Sequence, residues 1–357
     1  MKKPNIIHQY RDYTRRRILF VLMVILIMLA VGVYAVITGA AGISVSDIFR
    51  VLSGRGDAIS GQIILNIRLP RVLAALLAGL ALASSGAVMQ SLLRNPLASP
   101  FTLGISGAAA FGAAFAIVMS GSLGGSSGTG TDSWIDEQYL VMFSAFVWSM
   151  VSTGFILVIA QYRGATPEVM ILAGIAIGSL FNAGVSALQY VATDVELAAI
   201  VFWMFGDLGR ASWDEVVVLS LLLFPILIFF MSKSWSYKAL QSGDEFAISL
   251  GVRASRVRLT GMLAASLATA VVVSFYGIIA FVGLVVPHIV RRCIGGDDFF
   301  LIPASALFGA MFLLLSDTVA RTLFSPVILP VGILTSFIGA PLFLFLLLRG
   351  MGRGYWS

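Results

Sequence analysis

The chain has 357 residues, 59% apolar and only 11% charged, with 23 Lys and Arg against 17 Asp and Glu for a formal charge of +6. Soluble domains carry roughly 25% charged residues, so the composition excludes an ordinary soluble fold and predicts an all-α polytopic membrane protein. A single cysteine, Cys293, and two distant histidines, His8 and His288, exclude an intrachain disulfide and a His/Cys metal cluster.

Residues 1–17 read as a basic N-terminal tail ending in Arg15, Arg16 and Arg17. The apolar run at 18–38 is too long for the core of a signal peptide and predicts an uncleaved first span, since a helix needs ~20 residues to cross the hydrocarbon. The second span, 68–92, opens with Arg68 and Arg71 on either side of Pro70. It is closed by Asn95-Pro96-Leu97, where proline is an ordinary helix stop. Spans at 98–120 and 138–161 flank the stretch Gly121–Gly130, GSLGGSSGTG, which has the composition of a flexible loop.

The fifth span, 167–192, sets Gly174, Gly178, Asn182 and Ser186 four residues apart on one small, polar helical face. Glycines at this spacing serve close helix packing. An amide turned toward lipid would be costly, so Asn182 and Ser186 point instead to a wet cavity. The sixth span covers 213–232. After it, Lys233 to Arg258, KSWSYKALQSGDEFAISLGVRASRVR, is the one long polar and amphipathic interruption of the chain. Gly243, Asp244, Glu245, Ala247, Ile248, Leu250, Gly251 and Val252 fit a short helix ended by glycine. Two readings stand for it: an apolar stripe laid into a groove on a soluble partner, or a solvated interhelical loop.

Spans at 256–281, 284–294, 299–322 and 331–349 bring the number to ten. The eighth is too short to cross and contains Pro287, which predicts a half-span or broken helix buried in protein. Asp317 is the clearest ionisable group inside a span. Arg321, one turn later, predicts a local ion pair in preference to an ion path. Gly332, Ser336 and Gly339 repeat the small polar face of the fifth span more loosely in the last one.

With the N-terminus inside, 17 Lys and Arg fall on the inner side. Six fall outside: Arg50, Arg55, Arg68, Arg71, Arg210 and Arg321. That bias predicts an even number of crossings, cytoplasmic termini and a cytoplasmic 233–258 segment. Positive charge at Arg68 and Arg71 opposes the bias, so these two are expected to anchor to outer headgroups or to dock an acidic partner. The segment from Arg71 in the second span is weakly similar to that from Arg258 in the seventh, and the topology runs the two in opposite directions, as an inverted repeat would.

Taken together the segments resemble the membrane permease subunits of ABC importers for ferric siderophores, haem and cobalamin. The matching runs are RLPRVLAALLAGLALASSGAVMQSLLRNPLASPFTLGISGAA (68–109), FWMFGDLGRASW (202–213), GDEFAISLGV (243–252) and GLVVPHIVRR (283–292), followed by SDTVARTLF and LPVGILTSFIGAPLFLFLLLR within 316–349. The resemblance implies about ten transmembrane helices in one permease domain over 18–351, a short tail at 352–357, and a homodimer or pseudo-dimer with the translocation path at its interface. It places Gly174, Gly178, Asn182, Ser186, Gly332 and Ser336 along that path and Asn95, Leu97 and Thr166 at a cytoplasmic gate. It assigns Gly243, Asp244, Glu245, Ala247, Leu250 and Gly251 to coupling with an ATP-hydrolysing subunit. Arg68, Arg71 and Arg321 match arginines that meet glutamates of an extracytoplasmic binding protein.

The chain has no GxxxxGK[ST] pattern and so is not itself expected to hydrolyse ATP. No cofactor is expected on it; ATP and magnesium belong to the partner subunit. The other expected partners are the binding protein, a second permease copy and the lipid bilayer, with no nucleic acid. An iron–siderophore complex is the expected substrate, with cobalamin and haem as alternatives. An ion-coupled secondary transporter is opposed by the scarcity of deep acids, and an intramembrane enzyme by the lack of a catalytic constellation in the spans.

Overall fold

Inside a hydrocarbon layer every backbone amide must find its partner within the protein, and a helix does so within one segment. The structure, a computed structural model, describes residues 6–39, 42, 45–124 and 137–350. Lys2, Lys3, Arg353, the later part of the Gly/Ser stretch and the 352–357 tail lie outside the described residues.

The described residues are helical throughout, without strands: α1 (Ile6–Ile37), α2 (Val45–Leu52), α3 (Ala58–Gln62), a π-helical stretch (Ile63–Arg68), α4 (Leu69–Leu92), α5 (Ile105–Gly124), α6 (Glu137–Arg163) and α7 (Pro167–Val191). They continue as α8 (Asp194–Met204), α9 (Trp213–Gln241), α10 (Asp244–Ser249), α11 (Ala254–Tyr276), α12 (Val282–Ile294), α13 (Asp298–Thr322) and α14 (Val331–Gly350). Seven helical segments among the described residues are long and apolar enough to cross a membrane, and shorter apolar stretches lie in α5 and α14. Each of the ten sequence-predicted spans thus has its helix.

Several boundaries differ from the sequence reading, among them the start of the third span, at Ile105 instead of 98, and the end of the seventh, at Tyr276 instead of 281. The second span begins at Ala58, because the π-helical stretch carries the helix back past Arg68 and Pro70. Helix α1 starts at Ile6, inside the expected tail, and α9 continues through Pro225 to Gln241, into the segment read as an interruption. The unpredicted helix α8 is opened by a capping box in which Thr193 and Glu196 exchange side-chain and backbone bonds.

Helix α4 lies at the centre, packed against α13, α11, α9 and α12. Its buried face is largely alanine (Ala74, Ala75, Ala78, Ala81, Ala83, Ala87), which lets neighbouring backbones come close. At the closest approaches Gly86 meets Gly283 of α12 and Gly79 meets Gly309 of α13; a Cβ on either α4 glycine would overlap the opposing carbonyl. Helices α5, α6 and α7 form a second group, tied by Phe111 against Trp148 (4.9 Å between ring centroids) and Phe181 (5.5 Å). Helix α11 touches both groups.

Between α11 and α12 the chain turns back through an irregular stretch, entered at Gly277 (φ 73°) and left at Phe281 (φ 66°). Neighbouring backbone packs closely on the stretch: a Cβ at Gly206 or at Gly332 of α14 would overlap the Ile278 carbonyl, and one at Gly277 the Trp203 carbonyl. The 13 residues of α12 span roughly 20 Å at 1.5 Å per residue, short of the ~30 Å hydrocarbon thickness. This is the broken half-span that Pro287 predicted.

Candidate functional site

Helix α7 separates the four residues that the sequence had placed on one face. Gly174 and Gly178 are buried against Leu103 and Gly104, where a Cβ would come 3.0 Å from Leu103 Cα and 2.9 Å from Gly104 Cα respectively. They are packing residues. Asn182 and Ser186 are exposed, with Ser186 Oγ donating to Asn182 O (3.2 Å). Ala176, Ser179, Ala183 and Ser186 follow a helical repeat and form an exposed stripe of small and hydroxyl-bearing side chains along this membrane-length helix. On α14, Gly332 packs against the Phe205 and Ile278 carbonyls, while Ser336 is half-buried and donates to Gly332 O (2.8 Å).

At one end of the bundle lies α10, held between two glycines with positive φ, Gly243 (110°) and Gly251 (78°). Its first residue, Asp244, accepts from Arg258 Nη2 (2.7 Å) and Nη1 (3.1 Å), with Arg94 Nη2 at 3.7 Å. The Arg258 hydrogen bonds hold the Asp244 carboxyl below the usual carboxylate range. Glu245 is exposed, as are Phe246 (51%), Ile248 (61%) and Leu250 (53%). Ala247 is fully buried. That corrects its assignment to the partner-facing stripe: the short helix turns Ala247 into the body of the protein and presents Phe246, Ile248 and Leu250 outward.

The residues expected at the gate lie at the same end. Asn95 Oδ1 accepts from Leu97 N (2.9 Å) in the turn after α4, and Leu97 is 38% exposed. Thr166 is exposed and caps α7, accepting from Val169 N (3.4 Å). The sequence reading missed the side chains that join these elements. Arg258, 1% exposed, donates from Nε to Leu92 O (3.0 Å) and from Nη1 to Ala165 O. Asp298, fully buried, accepts from Ser91 Oγ (2.7 Å) and from Gln241 Nε2 (2.9 and 3.0 Å), so that α4, α9 and α13 meet on one carboxylate. Beside it Asp297 pairs with Arg17 of α1 (3.2 Å) and Lys238 of α9 (3.1 Å). Burial raises the Asp297 pKa, but the hydrogen bonds from Lys238 and Arg17 outweigh it and leave the carboxyl below its ordinary value.

At the opposite end Arg68, Arg71 and Arg321 come together, as the sequence reading grouped them, but inside the protein. Arg71, 7% exposed, clasps the fully buried Asp317 with three hydrogen bonds of 2.7, 3.0 and 3.1 Å. Asp207 Oδ1 lies 3.7 Å from Arg71 Nη2. Arg321 Nε is 3.2 Å from Asp317, and its other nitrogens donate to Ala35 O and Thr38 O at the end of α1. Arg68, 4% exposed, donates to Val36 O (2.8 Å) and Ile37 O (2.6 Å). The expected Asp317–Arg321 pair is present, with Arg71 as its unforeseen third member. All three are largely withdrawn from the surface: Arg71 and Arg321 are engaged by the buried Asp317, Arg71 also lies near the partly exposed Asp207, and Arg68 and Arg321 donate to the carbonyls at the end of α1.

Among the described residues no group of three or more His, Cys, Asp or Glu is placed to hold a metal ion. The model of the FecCD transport family matches residues 22–349. Over 345 residues the chain is 52% identical to an ABC transporter permease protein of Methanocaldococcus jannaschii, covering 97% of this chain and 98% of that one. It is 40% identical to the haemin transport system permease of Yersinia pestis, covering 94% and 96%. Among solved structures, a metal-chelate type ABC transporter in an inward-facing conformation superposes with a TM-score of 0.79 at 32% identity, covering 92% of this chain and 98% of that one.

Proposed function

This chain belongs to the FecCD transport family, the permease components of ABC importers, and on that premise we propose that it forms one half of a translocation path for an iron–siderophore complex. The observation that carries the reading is the exposed stripe of α7. Ala176, Ser179, Ala183 and Ser186, with Asn182 beside them, offer small and polar atoms where a lipid-facing helix would offer large apolar ones. A second copy related by a two-fold axis would set the same stripe opposite and enclose a wet channel between them. Haem and cobalamin are the alternative substrates; the likeness to a haemin permease supports the first of these.

The α10 end is taken as cytoplasmic, following the positive-inside count. There Phe246, Ile248 and Leu250 supply an apolar patch of the kind a groove on an ATPase subunit accepts, and ATP and magnesium act on that subunit. Asn95, Leu97 and Thr166 stand at the same end and serve as the gate. An extracytoplasmic binding protein delivers the substrate at the Arg71–Asp317 end. A proton- or ion-coupled mechanism finds little support, because the buried carboxylates Asp298 and Asp317 are already engaged by neighbouring side chains.

Single cysteines at Ser179, Asn182 and Ser186, in a Cys293→Ala background, test the path in the reconstituted importer. They are expected to react with a membrane-impermeant thiol reagent in at least one transport state, and to be shielded when substrate-loaded binding protein is bound. Protection in the resting, ATP-bound and binding-protein-bound states alike would overturn the assignment. Mass spectrometry of the ligand retained by the cognate binding protein identifies the substrate.

A further inference from the structure

Three segments with separate proposed duties meet on one buried guanidinium. Arg258 stands at the start of the second turn of α11, which begins at Ala254, and is 1% exposed. Its Nη1 and Nη2 grip both carboxylate oxygens of Asp244 at the start of α10 (3.1 and 2.7 Å). Its Nε donates to the carbonyl of Leu92, the last residue of α4 and three positions before Asn95 (3.0 Å). Its Nη1 also donates to the carbonyl of Ala165, directly before Thr166. Within these contacts Asp244 is the only anion that neutralises the buried charge. A planar five-donor fork bonded at once to two carbonyls and a carboxylate has little freedom to release any of them singly. Letting go of Asp244 would strand a buried cation, and letting go of either carbonyl would strand a buried donor.

We propose that Arg258 is a positioning residue for transport, making α10 and the two gate turns at Leu92–Leu97 and Ala165–Thr166 move as one body when the ATPase subunit displaces α10. The inference rests on the coupling and gate roles proposed above. It adds the physical link that joins them: force on α10 reaches Asp244, passes to the guanidinium, and is delivered to two backbone carbonyls that carry the gate residues. A lysine at this position would keep the charge but has no fork with which to hold both carbonyls and both carboxylate oxygens.

The test uses the full importer in lipid nanodiscs with the Cys293→Ala chain. Spin labels at Ser249→Cys, exposed on α10 outside the apolar patch, and Leu97→Cys are expected to keep the same separation with and without ATP, because the hub carries both. A separation that changes with nucleotide would overturn the proposal without any change to the hub itself. In Arg258→Lys, the ATP hydrolysed per substrate molecule transported is expected to rise about tenfold, within the usual range of coupling between sites. The nucleotide-dependent labelling of Leu97→Cys by a water-soluble thiol reagent is expected to disappear. Arg258→Lys with a wild-type ratio and wild-type labelling would also overturn it, leaving Arg258 as a staple only. Failure of the coupling reading shows itself differently: Leu97→Cys labelling would then ignore nucleotide even with Arg258 intact, and the inference would fall with that reading.

Discussion

Replacing Asp317 with Ala isolates the energetic weight of the buried arginine cluster. Asp317 is fully buried, accepts three hydrogen bonds from Arg71 and lies 3.2 Å from Arg321 Nε. In its absence, among the described residues, Arg71 retains Asp207 at 3.7 Å and Arg321 two carbonyls at 3.2 and 3.4 Å. Breaking a buried pair by removing one partner costs about 3–5 kcal/mol, because the remaining charge is left uncompensated. An unfolding entropy of ~2.1 cal/mol/K per residue over 357 residues converts this to a fall in Tm of about 4–7 °C. Thermal unfolding in detergent, followed by tryptophan fluorescence, reads it directly. Removing the charges together, as Asp317→Leu, Arg71→Met and Arg321→Met, is expected to recover most of the loss, since apolar groups of similar volume replace buried ion pairs at little cost. Asp317→Ala melting within about 1 °C of wild type would refute the reasoning. If Arg71→Glu also left Tm unchanged while weakening binding-protein affinity, the docking role would be assigned to these arginines.

The exposed face of α10 predicts that Phe246→Asp with Leu250→Asp detaches the ATPase subunit on co-purification while the permease still folds. Ala247→Asp should instead lower the yield of folded protein, since it buries a charge. Asp244, held below the usual carboxylate range by Arg258, has a lower pKa folded than unfolded. Its contribution is therefore complete above the unfolded value of ~3.9 and is lost as pH falls through the folded value. Amide protection over residues 247–252 should accordingly hold from pH 7 down to about pH 4 and collapse below it, and should be weak at every pH in Asp244→Asn. Gly86→Val should prevent α4 from seating on α12, and loss of monodisperse protein on size exclusion would report it.

The apolar runs made the spans legible because length and hydropathy alone decide whether a segment crosses. Pro287 in too short a run made the half-span of α12 legible as well. Other signals were present and went unread: T-x-x-E at Thr193–Glu196 and S-x-x-E at Ser212–Glu215 are the capping boxes that open α8 and α9. The outward face of α10 was not legible, since a helix of six residues makes fewer than two turns and its pattern does not say which side meets the body. The same holds for the partners of the buried charges. Arg71 and Asp317 are 246 positions apart, and Arg258 is 166 from Leu92. No local pattern announces a pairing over such a distance. Arg68, Arg71 and Arg321 come together as grouped, but their burial was not legible, because the positive-inside rule concerns a charge's position along the membrane normal and says nothing of whether it points out of the protein or into it.

Helix α1 is fastened by charge at both ends of its apolar span, Thr14–Ile37. Arg17 holds Asp297 and Ile294 O at one end, and Arg68 and Arg321 hold the carbonyls of Ala35 to Thr38 at the other. Between those clamps most of its side chains remain uncovered by the rest of the chain. Arg17 and Asp297 lie 280 residues apart, so this clamp can close only after the start of α13 has been made. Until α12 and α13 are made, the bonds from Arg17 to Ile294 O and Asp297 do not exist, and α1 lacks the clamp at that end. A nascent chain cut short before that point would present this unfinished junction to membrane proteases, and completion of synthesis is what hides it.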